Sequence, residues 1–363
     1  MDEKPYGSLR MKVLMVMKKL RYSGAYKMFM WVAKALADRG FDITVFTYMK
    51  NDVKELPANI KWIKQDLENR NFIFHLMAVR KVIRTEKPEC VISFLLDANI
   101  LNMLACIGTK AKSIVCERND PFKPHYHIMK IAKPFFRLAD GAVYQLPKVA
   151  EFYKNIKAPT AIIPNPVLCK ADVQIKSFNE RDNVIVTLGR LDLFQKRHDV
   201  LVNAFAAFSQ KHPEYKLVIY GDGPDENRIR DLILKLGLND KVILAGVTSN
   251  PQDSIKNAKF FVLSSDFEGI PNALIEAMSI GLPCISTDCR PGGASLLIKN
   301  NINGIIVPPH DEKSLADQMR CLAENAEKAE TLGNNARQIV NDFAEDEIAL
   351  QWCNYIKSVI DNN

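Results

Sequence analysis

The sequence predicts an α/β protein built from two tandem Rossmann-like domains, and three observations carry that reading. Between residues 12 and 163, short apolar runs of strand length alternate with helix-period patterns, as in a parallel, doubly wound sheet. Pro164-Asn165-Pro166 and a polar stretch through Lys176 to Asn183 then break the alternation, which marks a linker. A second alternating series begins at Val184 and continues to Val307.

In the first series, the run Lys12 to Met17 leads into a loop with Ser23-Gly24. A helical pattern at Phe29, Val32, Ala33 and Leu36 follows and ends at Gly40, and a strand runs over Ile43 to Phe46. This is a βαβ opening. Further strands are expected at Lys61 to Ile63, Cys90 to Phe94, Ser113 to Cys116, Ala142 to Tyr144 and Ala161 to Ile163, with helices near 71–86, 97–107 and 127–138. The second series places strands at Val184 to Leu188, Leu217 to Tyr220, Val242 to Leu244, Phe260 to Leu263, Cys284 to Ser286 and Ile305 to Val307.

Composition excludes several function classes. At 363 residues with 47% hydrophobic and 25% charged residues, the chain suits two domains with a core each. The longest apolar candidate, around Ala98 to Ile107, is broken by Asn99 and Asn102 and falls short of the ~18 residues of a membrane span. The start, MDEKPYGSLRMKV, lacks the apolar region of a signal peptide, so a cytoplasmic location is expected. Eight scattered cysteines without a C-x-x-C pair read as reduced core residues. No phosphate-binding G-x-x-x-x-G-K-[ST] loop occurs, Gly221-Asp222-Gly223 lacks the third glycine of a dinucleotide fingerprint, and no Asp-x-Asp triplet offers a metal-holding carboxylate pair. No metal or other cofactor is expected.

Charge is unevenly divided. Residues 1–168 hold 28 Lys and Arg against 15 Asp and Glu, and the remainder 21 against 27. The first half therefore suits a polyanionic surface. Lys123, His125, His127, Lys130, Lys133 and Arg137 interleave with Tyr126, Ile128, Met129, Ile131, Phe135 and Phe136. With Arg80, Lys81 and Arg84, they suit an anionic membrane surface; a solvated basic face over a buried stripe, broken by Pro134, is the simpler alternative. No aromatic-and-basic motif for nucleic acid is present.

Chemistry concentrates in SSDFEGIPNALIEAMSIGLPCISTD, residues 264–288. A buried strand, a Gly-Ile-Pro-Asn turn and a helix through Ala273, Leu274, Ala277 and Met278 put backbone N–H groups and a positive dipole end at the carboxyl edge of the sheet. That edge suits an anion. Glu276, inside the helix, suits vicinal hydroxyls such as those of ribose, and Glu268 lies by the turn where phosphate or sugar would sit; a dipole-favouring carboxylate and an exposed loop charge are the plain alternatives. Gly189-Arg190-Leu191 and Lys196 follow another strand and could clamp a diphosphate, Arg as a planar fork and Lys as a point charge. The alternative there is a surface pair near Asp192 and Asp199. Gly221, Gly223 and the Ala245-Gly246-Val247 turn follow strands where backbone can approach a flat base, or are turns only.

The segment SxxEGxPxxLxEAMxxGxPxIxTD resembles the signature of the retaining glycosyltransferases of family 4, and the likeness extends from Gly24 through Gly189-Arg190-Leu191 and Lys196 to Asn303-Gly304-Ile305-Ile306-Val307-Pro308. The resemblance implies the GT-B fold, with two Rossmann-like domains facing a cleft and a last helix, patterned on Ile348, Trp352, Tyr355, Ile356 and Val359, crossing back to the first. An acceptor-binding domain of 1–166 plus about 346–363 and a nucleotide-sugar domain of 167–345 follow. It further implies a hexosyltransferase using a nucleotide sugar, chiefly a UDP-sugar, without a metal. Arg190 and Lys196 would stabilise the leaving diphosphate. Glu268 with Gly269, Ile270, Pro271 and Asn272 would hold the donor sugar, Glu276 the ribose, Gly221, Gly223 and Val247 the base, and Gly24 and Gly189 the diphosphate region. Glu117-Arg118-Asn119-Asp120-Pro121 is similar to a segment of the subgroup that builds bacterial surface polysaccharides and lipid-linked oligosaccharides. That similarity places Glu117, Arg118 and Asn119 on the acceptor side, with a glycan or lipid-linked acceptor; a turn before a helix is the alternative.

Two departures stand out. Ser23-Gly24-Ala25-Tyr26-Lys27 replaces the family's Gly-Gly-Ala-Glu-Arg, and Arg197 stands where Gly usually follows the Lys. A nucleotide-sugar 2-epimerase of the same fold and a non-catalytic nucleotide-sugar-binding subunit are the rival readings. NMR of donor without acceptor distinguishes the first, turnover of the purified chain the second.

Overall fold

The computed structural model describes residues 10–21, 23–118, 120–122, 133–154, 157–168 and 176–361. The chain divides into two compact units, residues 1–164 with 346–363, and residues 165–345.

In the first unit, β1 (Lys12–Met17), β2 (Asp42–Thr47), β3 (Lys61–Lys64), β4 (Cys90–Phe94), β5 (Lys112–Glu117), β6 (Gly141–Tyr144) and β7 (Thr160–Ile162) form one sheet of order β3-β2-β1-β4-β5-β6-β7. Every pairing is parallel. The order reverses between β1 and β4, the switch point at which open α/β sheets leave a crevice beyond their carboxyl edge. Helices α1 (Gly24–Ala37), α2 (Phe72–Glu86), α3 (Leu96–Cys106) and α4 (Pro147–Phe152) connect the strands.

Strand burial explains the near-continuous apolar runs. All five residues of β4 are buried, as are five of the six in β1 and β2, because helices cover both faces. Asn99 and Asn102 have a role that their sequence context hides. Both are fully buried and bridge β4 to β5: Asn99 Nδ2 donates to Cys116 O (3.0 Å), and Asn102 Nδ2 to Val91 O (2.9 Å) and Ile114 O (3.1 Å). Such buried amides persist only when fully bonded.

Residues 133–138 form a 3-10 helix rather than part of an α-helix, in keeping with Pro134, which cannot supply the interior N–H. The rest of the basic stretch, residues 123–132, lies outside the described residues, as does Asn119.

In the second unit, β8 (Asp182–Leu188), β9 (Lys216–Tyr220), β10 (Val242–Gly246), β11 (Ala258–Leu263), β12 (Cys284–Thr287) and β13 (Ile305–Val307) make a parallel sheet of order β10-β9-β8-β11-β12-β13. Its switch point lies between β8 and β11. Helices α5 (His198–Ser209), α6 (Glu226–Lys235), α7 (Pro251–Ile255), α8 (Asn272–Ser279), α9 (Gly293–Leu297), α10 (Glu312–Glu324), α11 (Ala326–Ala336) and α12 (Ile339–Asp342) complete it.

The last helix, α13 (Glu345–Asp361), packs Ile348, Trp352, Tyr355, Ile356 and Val359 into the core of the first unit. Tyr355 Oη donates to Ala142 O (3.1 Å) and Pro159 O (2.7 Å), and a side chain at Gly141 would meet that oxygen at 2.6 Å. The cysteines among the described residues are free thiols, buried except for half-buried Cys321. Burial pushes the Cys106 and Cys116 thiols up to about 12. No helix among the described residues is long and apolar enough to cross a membrane.

Candidate active site

The two loops singled out in the sequence follow β8 and β11, the strands that flank the switch point of the second sheet. Gly189 to Arg197 leaves β8, and Ser264 to Pro271 leaves β11. Their backbones are stitched together. Asp266 N donates to Gln195 O (2.9 Å), Ser264 Oγ to Lys196 O (2.8 Å), and Gln195 Nε2 to Phe267 O (3.1 Å); the Phe194 and Phe267 rings meet edge to face at 5.5 Å.

Lys196 and Glu268 converge within this frame. Lys196 Nζ donates directly to Glu268 Oε1, with the two side chains 15% and 10% exposed. Ser265 Oγ donates to the same oxygen (2.9 Å), Gln195 Nε2 reaches Oε2 (3.4 Å), and Glu268 N donates to Arg290 O (2.7 Å). A carboxylate that accepts from this many donors is fixed in place. The sequence reading gave the two residues separate partners, diphosphate and sugar; here they form one ion pair. Arg190, by contrast, is exposed and has no ion pair among the described residues. Together the three groups carry one net positive charge.

Glycines set the spacing. A Cβ on Gly189 would lie 3.1 Å from Lys196 Cε, so its absence makes room for the lysine stem. On Gly221, at φ 140°, it would lie 1.9 Å from Gly189 O, and on Gly223 2.3 Å from Leu191 O. The loop after β9 therefore seats the Arg190 loop from beneath, through Leu191 N to Asp222 O (2.7 Å) and Leu193 N to Asp225 Oδ2 (2.8 Å). Val247, just past β10, is exposed at the neighbouring strand end.

α8 starts at Asn272 with no side-chain cap from Pro271. The first N–H groups of a helix have no intrahelical acceptor, so this end suits an anion. Ile270 and Pro271 are buried and offer backbone only. Asn165, from the predicted linker, donates to Asn272 Oδ1 (2.7 Å) and steadies the helix start. Glu276 lies half-buried on the second turn.

Arg197 explains its own departure. It adopts the left-handed region, φ 50°, where Gly is at ease and other residues pay roughly 1–2 kcal/mol. Its guanidinium offsets that strain by binding Asp199 (2.9 and 3.0 Å) and Asp266 (3.2 Å), and it contacts His310 Nδ1 at 2.7 Å; His310 Nε2 lies 3.2 Å from Asp266 Oδ1. Sequence reading missed Gln195, Ser265, Asp266 and His310. Their one signal is position: each sits in a loop at the carboxyl end of a strand.

His198 opens α5 directly behind Lys196. It is buried, and its Nδ1 has no hydrogen-bond partner among the described residues. Burial, then the nearby Lys196 charge, lowers its pKa to about 4. A folded-state value below the unfolded 6.5 means stability is complete above about pH 6.5 and is lost as pH falls towards about 4. Urea unfolding across that window should show the native chain losing about 3 kcal/mol more than His198→Gln. Parallel pH profiles would refute the buried neutral imidazole.

In the first unit, Gly24 begins α1 beyond the switch-point strand β1, where Ser23 Oγ caps the helix by accepting from Tyr26 N (3.2 Å). Glu117 ends β5 and is only 1% exposed. The Arg118 guanidinium lies 4.6 Å over the Phe94 ring and 5.8 Å from the Trp352 ring, and burial lowers its pKa to about 10. Both side chains brace the strand end rather than stand free on the surface. Among the described residues, no group of three His, Cys, Asp or Glu side chains could hold a metal ion.

Two doubly wound parallel sheets with a last helix returned to the first unit define an α/β protein of the GT-B type. The fold is shared with the apo lipopolysaccharide outer core galactosyltransferase WaaB (TM-score 0.76, 21% identity, 96% of this chain and 99% of that one). It is shared also with Anabaena HepE in complex with UDP and glucose (TM-score 0.80, 18% identity, 96% and 100%). The family model for glycosyl transferases group 1 matches residues 170–339. An uncharacterized glycosyltransferase of Methanocaldococcus jannaschii is 30% identical over 78% of this chain and 82% of its own length. The chain belongs to the group 1 glycosyltransferases. Another relative, 26% identical over 96% of this chain and 99% of its own, is the Campylobacter jejuni α-1,4-N-acetyl-D-galactosaminyltransferase named for GalNAc-α-(1→4)-GalNAc-α-(1→3)-diNAcBac-PP-undecaprenol.

Proposed function

We propose that the chain is a retaining family 4 hexosyltransferase that moves a sugar from a UDP-sugar to a lipid-linked or growing glycan in cell-surface polysaccharide assembly. One observation carries the reading: the loop bearing Arg190 and Lys196 leaves β8, the loop bearing Glu268 leaves the neighbouring β11 and runs into the uncapped start of α8, and the Lys196–Glu268 ion pair joins the two loops. That is a cradle for a leaving diphosphate. The C. jejuni relative, whose name specifies an undecaprenol-linked glycan, supports the acceptor class, and HepE, solved with UDP and glucose, supports the donor class.

In the reaction, the bond from the sugar's anomeric carbon to the phosphate oxygen breaks. The acceptor oxygen bonds on the same face, and its proton passes to the leaving phosphate. Arg190, Lys196 and the N–H groups of α8 stabilise the growing negative charge, which is worth most where the donors are already in place. Glu268 fixes Lys196 and faces the donor sugar, with the backbone of Gly269 to Asn272. Glu276 takes the ribose hydroxyls, the loops bearing Gly221, Gly223 and Val247 the uracil, and Gly189 the diphosphate region. Glu117 and Arg118 shape the acceptor side by bracing β5, and Asn119 belongs to that side as well.

The test is turnover of purified chain with UDP-sugars and an undecaprenyl-diphosphate-linked glycan, with product anomericity read by NMR. An α-linked product from an α-donor is expected. Because side-chain cations and helix N–H groups neutralise the diphosphate, turnover should survive excess EDTA; a complete loss restored by divalent metal would refute that part. Inverted product would refute retention.

A further inference from the structure

α2 buries Ala78, Val79, Val82 and Ile83 against the first unit and turns its opposite face to solvent. On that face Ile73, Met77, Lys81 and Arg84 follow one another at spacings of four, four and three, which is one stripe of a helix. The stripe starts apolar. Phe72, Ile73, Phe74 and Met77 are 46%, 61%, 48% and 62% exposed, four large side chains clustered at one helix end where soluble surfaces usually scatter them. It ends cationic, with exposed Lys81 and Arg84, beside half-buried Arg80, whose guanidinium donates to Ala105 O (3.4 Å); Arg70 sits just before the helix with its guanidinium 5.2 Å over the Phe74 ring.

No carboxylate occurs from Phe72 to Thr85. The flanking acidic groups are Glu86, paired to Lys61 at 2.7 Å, Glu89, which accepts from Lys12 N at 2.6 Å, and Asp66 and Glu68 on the preceding loop.

We propose that this face of α2 is an interfacial docking element for an anionic lipid bilayer. Phe72, Ile73, Phe74 and Met77 enter the boundary between headgroups and acyl chains, while Lys81 and Arg84 pair with lipid phosphates. Charge decides for lipid over a protein groove: the cations continue the apolar stripe without an acidic interruption, in a half of the chain that carries 28 Lys and Arg against 15 Asp and Glu. The inference extends the reading of a lipid-linked acceptor, since it brings the chain to the surface where such an acceptor is anchored.

The experiment is co-sedimentation with vesicles of phosphatidylcholine alone and of phosphatidylcholine mixed with phosphatidylglycerol, across a salt series. Native chain is expected to favour the mixed vesicles, and the preference should fade as salt rises. Ile73→Ser/Met77→Ser should weaken binding to mixed vesicles on the order of tenfold at every salt concentration. Lys81→Glu/Arg84→Glu should weaken it on the order of tenfold or more at low salt and little at high salt.

All four positions are exposed, so melting curves should match the native chain, and turnover on a short water-soluble acceptor should be unchanged. Binding that is equal for native and both variants, or absent for native, overturns the proposal. A native dimer that Ile73→Ser/Met77→Ser separates, without vesicle binding, also overturns it and assigns the face to a second copy. If every form is inactive on the soluble acceptor yet binds vesicles as expected, the glycosyltransferase reading fails and the docking face stands.

Discussion

Lys196→Ala should lower turnover by on the order of a hundredfold or more, because a preorganised donor at developing negative charge supplies roughly 3–4 kcal/mol. It should also destabilise the fold. Glu268 is mostly buried, and removing its cation strands a charge, at a cost on the order of 3 kcal/mol. Arg190→Ala should separate the two effects, since Arg190 is exposed and without an ion pair among the described residues: turnover falls by a similar factor and the melting temperature holds. Lys196→Ala/Glu268→Gln should recover most of the lost stability and none of the turnover. Steady-state kinetics and urea unfolding of these variants decide the matter. Native turnover in either single variant would remove the diphosphate clamp, and a loss of turnover proportional to lost stability would reduce Lys196 to a structural partner of Glu268.

That contrast also shows what the sequence made legible. Both sheets could be read because strands covered on two faces need unbroken apolar runs, and several of the runs were followed by a helix pattern. The site could be placed because Gly189 to Lys196 and Ser264 to Asn272 each follow such a run, and strand ends at a switch point are where ligands bind. The pairing of Lys196 with Glu268 was not legible, since it joins residues 72 apart in the chain, and neither loop records the register of β8 with β11.

The departure at position 197 had a signal that went unused. A position usually held by Gly is one where φ turns positive, and Arg197 does adopt φ 50°, held by Asp199 and Asp266. Asn99 and Asn102 were legible only as breaks in an apolar run, because nothing local reveals that a helix will press two amides between adjacent strands. The exposure of Phe72, Ile73, Phe74 and Met77 was hidden for the opposite reason: apolar residues at a helix start read as core until the sheet beneath is seen to be covered by the next two turns.

Gly293→Ala should disable the protein without touching any charged group. The added methyl would stand 1.7 Å from Gly269 O and 3.1 Å from Pro271 Cδ, so either α9 or the Gly269–Asn272 turn must move by on the order of 1 Å. Neither can move alone. Phe267 pairs with Arg290, and Glu268 N donates to Arg290 O at 2.7 Å, so the displacement reaches Glu268 and, through the ion pair, Lys196. Overpacking of this kind costs on the order of 1–3 kcal/mol, and a misplacement of about 1 Å at reacting groups costs roughly a hundredfold in rate. Gly237→Ala provides the comparison. Its φ is positive, 66°, but nothing lies within 4 Å of the new methyl, so it should lose about 1 kcal/mol of stability and keep its turnover. Thermal melts and turnover of the two variants test the seat directly. If Gly293→Ala behaves like Gly237→Ala, then α9 yields to the methyl, and the turn that presents Glu268 and the start of α8 is held by something other than this contact.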